Sequence, residues 1–202
     1  MFSLLGLLIL ILSVSFHEWA HALIADRLGD PTPRAHGRLT LNPLAHADLF
    51  GTILLPLVLL ITGSPIFFAW AKPVPIDPYN LKNPRRDEAL LAFAGPATNL
   101  LLALIFALFA RFTGPSTFTL TAVLVNLSLA IFNLLPLIPL DGSKILLGLL
   151  PLEKSLEWEE ALRHYSSALL ILLILPLGGQ SLISRFISPL ISTIFHLIYP
   201  LF

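Results

Sequence analysis

His17 and His21 stand four residues apart in Phe16-His17-Glu18-Trp19-Ala20-His21, with Glu18 between them. On an α-helix that spacing turns both imidazoles to one face, where they can share one metal ion. Glu18 lies about 100° round the helix from His17, within reach of a water at the metal. Two ligands beside a carboxylate base are the parts that metal-assisted hydrolysis needs. Asp141 is the candidate third ligand. Alone, Asp141-Gly142 reads as a turn at a helix end. Beside two histidines it completes a set that leaves a fourth position for water, as catalytic zinc requires. The same donors also suit iron. The chain has no cysteine, so thiolate sites, thiol catalysis and disulfides are excluded.

The elements that must hold these residues are membrane elements. Of 202 residues, 56% are apolar and only 12% charged, with mean hydropathy +0.86. Soluble domains carry about 25% charge. Net charge is zero and no basic run occurs, so nucleic-acid binding has no support. Residues 2–25 form a first span, the His-Glu pair lying in its second half. No basic stretch precedes it and no small-x-small cleavage site follows, so it reads as a retained span rather than a signal peptide. Ionisable groups inside a span are costly and usually functional.

Residues 26–48 are a polar connection in which Leu39-Thr40-Leu41 reads as a short extended piece. The apolar stretch 49–63 is interrupted by Gly51, Pro56 and Gly63, then turns through Ser64-Pro65 into Ile66–Trp70. It is too short for a comfortable span and reads as re-entrant. Residues 71–87 carry loop chemistry, and 88–111 form a long span containing Gly95-Pro96-Ala97-Thr98-Asn99, a patch small enough for close helix approach. Residues 119–138 form another span. Pro136 and Pro139 break helical bonding before Asp141, which lipid tolerates only where backbone is buried or lines a wet cavity. Residues 143–164 are amphipathic and charged, while 165–177 and 181–201 are apolar and separated by Gly178-Gly179-Gln180.

Charge orients the chain. Lys and Arg number three in 26–48, four in 71–87, one in 111–118 and three in 142–164. The positive-inside rule puts 111–118 outside and the other three within. The stretch 49–70 then enters and leaves by one face. His17, His21 and Asp141 each lie toward the C-terminal end of their segments, so they meet only if the first span and 119–138 run parallel.

Other polar residues carry weaker signals. Asn133 is open between an interhelical hydrogen bond and an oxyanion donor. Asn99 has the same two readings, packing being favoured. His36 reads as interfacial, and His46 with Asp48 as a polar position of that connection or a rim pair. His164 and His196 carry no readable signal. Trp19, Trp70 and Trp158 read as packing or interfacial anchors.

Three blocks together carry a family resemblance: His-Glu-x-x-His in the first span, Gly-Pro-Ala-x-Asn at 95–99, and Asn-x-x-Pro-x-x-Pro-Leu-Asp-Gly at 133–142. In order and depth they resemble the site-2 protease family of intramembrane zinc metalloproteases, over about residues 1–150. Gly37–Pro43 and Ala71–Pro75 are similar to a compact prokaryotic subgroup without PDZ or nucleotide-sensing domains. The resemblance implies one Zn2+ per chain on His17, His21 and Asp141, Glu18 as general base and Asn133 at the oxyanion. It implies an all-α polytopic membrane protein with about five transmembrane helices, a re-entrant stretch and a small membrane-associated β element. It implies one membrane-embedded metalloprotease domain over 1–202, with a core in 1–150 and additional membrane helices in 165–201. Extended segments between the first span and 88–111 would pair with an unwound substrate. The substrate would be a membrane protein or signal-peptide-like segment, cut in or near its transmembrane part. The setting would be the lipid bilayer of the cell (inner) membrane, crossed several times. The rival class is a non-proteolytic metal-binding membrane protein, a transporter or degenerate scaffold. A metal carrier needs the histidines and Asp141 but no adjacent base, so Glu18 favours hydrolysis.

Overall fold

The structure is a computed structural model that describes residues 3–62, 70–177 and 180–199. Residues 63–69 of the stretch expected to be re-entrant, and the Gly178-Gly179 break, lie outside the described residues.

The first span is α1, Leu4–Leu28. Ser3 caps its start, accepting from the Gly6 amide, and Gly29 ends it at φ 108°, its N–H reaching Ala25 and Asp26 carbonyls. That left-handed turn is one glycine takes without strain. Two short helices follow, α2 (Thr32–Ala35) and α3 (Pro43–His46), then a π-helical turn at Leu49–Leu54 that continues as α4 (Leu55–Ile61). The far end of this stretch returns to its start. Trp70 N donates to Gly51 O at 3.2 Å, and Lys72 N to His46 O at 2.9 Å. Residues 71–77, in no helix or strand, lead through a 3-10 turn at Pro78–Asn80 into α5, Pro84–Thr113.

Helix α6 (Thr117–Asn133) opens on a capping box between Ser116 and Thr119. A turn-rich segment, 134–140, leads to α7 (Asp141–Leu149). The charged stretch and the apolar stretch beyond it form one helix, α8 (Leu152–Ile174). A two-residue hairpin, β1 (Pro176–Leu177) with β2 (Gln180–Ser181), turns into α9 (Leu182–Ile198).

Side-chain contacts fix the directions of the three central helices. Ser13 on α1 lies level with Asn99 and Asn126, and His21 lies against Leu91. Helix α5 therefore runs antiparallel to α1, and α6 parallel to it. Beyond that level α5 and α6 close on Ala103, Ala107, Ala110, Val123 and Leu127, with Tyr199 packed on them after α9. Alanine at these positions lets the backbones approach. Thr119 Oγ1 and Tyr199 Oη meet at 2.9 Å.

Two expectations about the fold are corrected. The membrane-associated β element between the first span and residue 88 does not form among the described residues. Among the described residues the one ladder is the hairpin before α9, two residues a side, and the architecture is helical. The physical reason lies in the donors. Pro31, Pro33, Pro43, Pro73, Pro75 and Pro78 have none to give a ladder. Short acceptors take many of the rest: Asp30 from Thr32, Asn42 from Leu44, Asp48 from Phe50 and Gly51, Asp77 from Tyr79.

The count of about five transmembrane helices is also not met. Two described helices, α1 and α5, are long and apolar enough to cross a bilayer. Helix α6 stops at 17 residues, with Pro136 and Pro139 following. The first half of α8 carries Glu153, Lys154, Glu157, Glu159, Glu160 and Arg163, and α9 contains Pro189.

Candidate metal centre

His17 and His21 are buried on the face of α1 that meets α5. His21 Nδ1 lies 2.8 Å from Leu91 O. A carbonyl only accepts, so His21 carries its proton on Nδ1 and leaves the Nε2 lone pair free. Across the same face His17 Nδ1 lies 2.6 Å from Asn99 Oδ1. The two Nε2 atoms are 3.1 Å apart, their rings nearly perpendicular at 85°.

Asp141 arrives from the other side, on the first turn of α7. Its Oδ2 lies 3.2 Å from His17 Nε2 and 3.4 Å from His21 Nε2. Three elements hold it there. A Cβ on Gly142 would come within 2.2 Å of Leu134 O, so the chain closes tightly on the end of α6 only with glycine. Ser166 of α8 accepts from Ile138 N at 3.0 Å, pinning the turn segment. Arg85 at the start of α5 donates to the carbonyls of Leu147 and Leu150, fixing the far end of α7.

The donor set fits a metal. His17, His21 and Asp141 offer ligand atoms all within 4.8 Å of one another. Asp141 Oδ2 is buried without a hydrogen-bond partner. Such an oxygen is costly to bury unless a cation meets it. Two borderline nitrogens, one carboxylate and no sulfur suit zinc with an open position.

Glu18 is half-buried beside the pair, and its Oε2 accepts from Val74 N at 3.3 Å. Pro73 and Pro75 flank Val74, so the one N–H of that tripeptide is spent on the candidate base. Asn133 ends α6 and gives one amide N–H to Leu129 O at 2.9 Å.

The sequence reading undervalued two residues. Asn99 reads as packing, yet it touches His17, a candidate ligand. Gly95 reads as part of a small-residue patch. A Cβ there would lie 2.5 Å from His21 Nε2 and 2.6 Å from His17 Nε2, so α5 forms a wall of the site itself. Both belong to the quoted Gly-Pro-Ala-x-Asn block, which was the available signal. His46 forms no rim pair with Asp48. It is buried and bonds Thr40 O at 2.8 Å, while Asp48 caps the π-helical turn. His36 is exposed and bonds Thr32 O.

The model of the family described as Peptidase family M50 matches residues 5–115 and 110–175. A Bacillus subtilis (strain 168) protein named "Putative zinc metalloprotease YwhC" is 40% identical over 195 residues, covering 89% of this chain and 85% of its own. Proteins named "Putative zinc metalloprotease Rip2" in Mycolicibacterium smegmatis and Mycobacterium tuberculosis are 30% identical over 138 residues, covering 65% of this chain and 52% of theirs. No solved structure matches the chain.

Proposed function

The chain belongs to peptidase family M50, the site-2 protease family, and on that premise we propose that His17, His21 and Asp141 hold its zinc, with Glu18 as the general base. It is an intramembrane zinc metalloprotease of a membrane-embedded family that acts on membrane-protein substrates in the bilayer. The non-proteolytic alternative has no support among its relatives. The observation that carries the site assignment is the convergence of two Nε2 atoms and a partnerless carboxylate oxygen.

Bound zinc supplies Lewis acidity, which lowers the pKa of water to about 7. Glu18 takes the proton of the attacking water and later returns one to the leaving amine. The Val74 N–H orients the Glu18 carboxylate for that exchange. Asn133 has a second amide N–H beyond the one given to Leu129, and this donates to the developing oxyanion. The substrate is a membrane protein or a signal-peptide-like segment, unwound locally because a helix hides its carbonyls. The chain works as one domain over 1–202, multi-pass in the cell (inner) membrane, with its core in 1–150.

The test uses protein in detergent, wild type beside Glu18→Gln. Bound metal is counted by elemental analysis, and cleavage is followed on a reporter with a helix-destabilised transmembrane segment. We expect one zinc in both, with cleavage reduced about 10²- to 10⁴-fold in the variant. Equal cleavage would remove Glu18 from the mechanism. Absence of zinc from the wild type would undo the ligand assignment.

A further inference from the structure

Behind His17 runs a buried chain of hydrogen bonds whose polarity can be read from its far end. Asn99 and Asn126 are 0% exposed and Ser13 only 4%. Asn126 Nδ2 lies 2.9 Å from Ala122 O and 2.9 Å from Ser13 Oγ. The Ala122 carbonyl only accepts, so that end of Asn126 is its NH2 group and its Oδ1 faces Asn99. Asn126 Oδ1 then accepts from Asn99 Nδ2 at 2.9 Å, and the same Nδ2 reaches Ser13 O at 3.3 Å. Asn99 is left to present Oδ1 to His17 Nδ1. An oxygen there requires a proton on Nδ1, which leaves Nε2 bare toward His21 and Asp141.

We propose that Asn99, Asn126 and Ser13 are positioning residues that fix the His17 tautomer, the Ala122 carbonyl acting through Asn126 and the Ser13 carbonyl acting on Asn99 directly. His21 gets the same tautomer directly from Leu91 O. His17 Nδ1 meets an amide oxygen instead, and Asn99 passes on the polarity of two carbonyls, Ser13 O at 3.3 Å and Ala122 O by way of Asn126. A reversed Asn99 amide would put NH2 against His17 Nδ1. The ring proton would then move to Nε2, where the metal binds. Three helices are thereby tied to one ligand atom. The proposal rests on the reading of His17 as a metal ligand.

The experiment takes full-length, metal-free protein with 15N-labelled histidine in detergent, His17 being identified by its loss in His17→Gln. Ring nitrogen shifts separate N–H from bare nitrogen. In the wild type we expect His17 protonated at Nδ1 alone. Asn126→Leu, which does not touch His17 and leaves the Asn99 amide only its longer 3.3 Å contact to Ser13 O, should mix the two tautomers and weaken zinc binding by about 10- to 100-fold in chelator competition. Asn99→Asp keeps an acceptor on His17 whatever Asn126 does, so in that background Asn126→Leu should cost no further affinity. If Asn126→Leu lowers the melting temperature but changes neither tautomer nor affinity, the network is only structural and the proposal fails. Should that variant not fold, Asn99→Leu is read in the same way, and an unchanged tautomer overturns the proposal. Full zinc binding by His17→Gln would instead undo the ligand assignment, leaving the tautomer result of the metal-free protein standing.

Discussion

At Gly95 the backbone of α5 comes so close to both imidazoles that a methyl group has no room. The built Cβ overlaps ring atoms of two residues, neither of which is a flexible chain end. Overpacking of this kind costs about 1–3 kcal/mol when neighbours must shift. Here the neighbours are the proposed ligands, which must hold position to a fraction of an ångström. Gly95→Ala should therefore fold with reduced thermal stability and retain less than one zinc per chain after dialysis, measured by elemental analysis. A full complement at wild-type affinity would mean that the two rings can move without penalty. At this scale the sequence was informative where ligand types repeat at helical spacing, as in His17 and His21. The meeting of Asp141 with these histidines was legible because two imidazoles at one metal would call for a third donor. Gly95 was not, because glycine in a span signals close approach without naming what it approaches. Asn99 was ambiguous for a related reason. An amide serves packing and ligand orientation with the same hydrogen bonds.

Between α1 and α5 the chain depends on side chains that stand in for regular structure. Asp30 follows the Gly29 cap and is inaccessible to solvent. Its carboxylate accepts from Thr32 N at 3.0 Å, Asp77 N at 2.8 Å and Asn80 Nδ2 at 2.9 Å. It thus ties the end of α1 to the segment whose Val74 amide meets Glu18. Burial alone would raise the Asp30 pKa, but these bonds outweigh it and hold the carboxyl below its ordinary range. A lowered folded pKa contributes stability in full above the ordinary value, about 4. That contribution is lost as pH falls through the lower folded value. The wild type should then lose more melting temperature on acidification than Asp30→Asn, and the gap between them should narrow. Asp30→Ala should cost about 1–3 kcal/mol at neutral pH, since its donors are left unpaired. Parallel melting curves of equal slope against pH would exclude the carboxylate from this role. The expected β element failed in the same region. Alternation at Leu39-Thr40-Leu41 says nothing of where donors go, and local Asx acceptors took those of the caps and turns.

The whole molecule divides along α5. Its first half walls the site with Gly95 and Asn99 and packs on α7, where Gly148 sits against Ala89 and Arg85 O. Its second half offers Ala103, Ala107 and Ala110 to α6 and to the end of α9. The parallel course of α1 and α6 was legible from the sequence, because three candidate ligands near segment ends meet in only one arrangement. The number of spans was not. Apolar runs do not reveal that α6 stops before its prolines, or that charged and apolar stretches merge in α8. The two halves of α5 should respond separately to substitution. Ala107 is 1% exposed, and it follows Gly95 by twelve positions, about 18 Å along a helix. Ala107→Leu should overpack the α5–α6 seam and cost about 1–3 kcal/mol of stability. At that distance its effect should add to that of a site variant rather than couple to it. Zinc affinity of Ala107→Leu, measured by chelator competition below its melting range, should match the wild type. A loss as large as that from Gly95→Ala would mean that α5 moves as one body, so that the seam beside Tyr199 sets the spacing of the metal ligands.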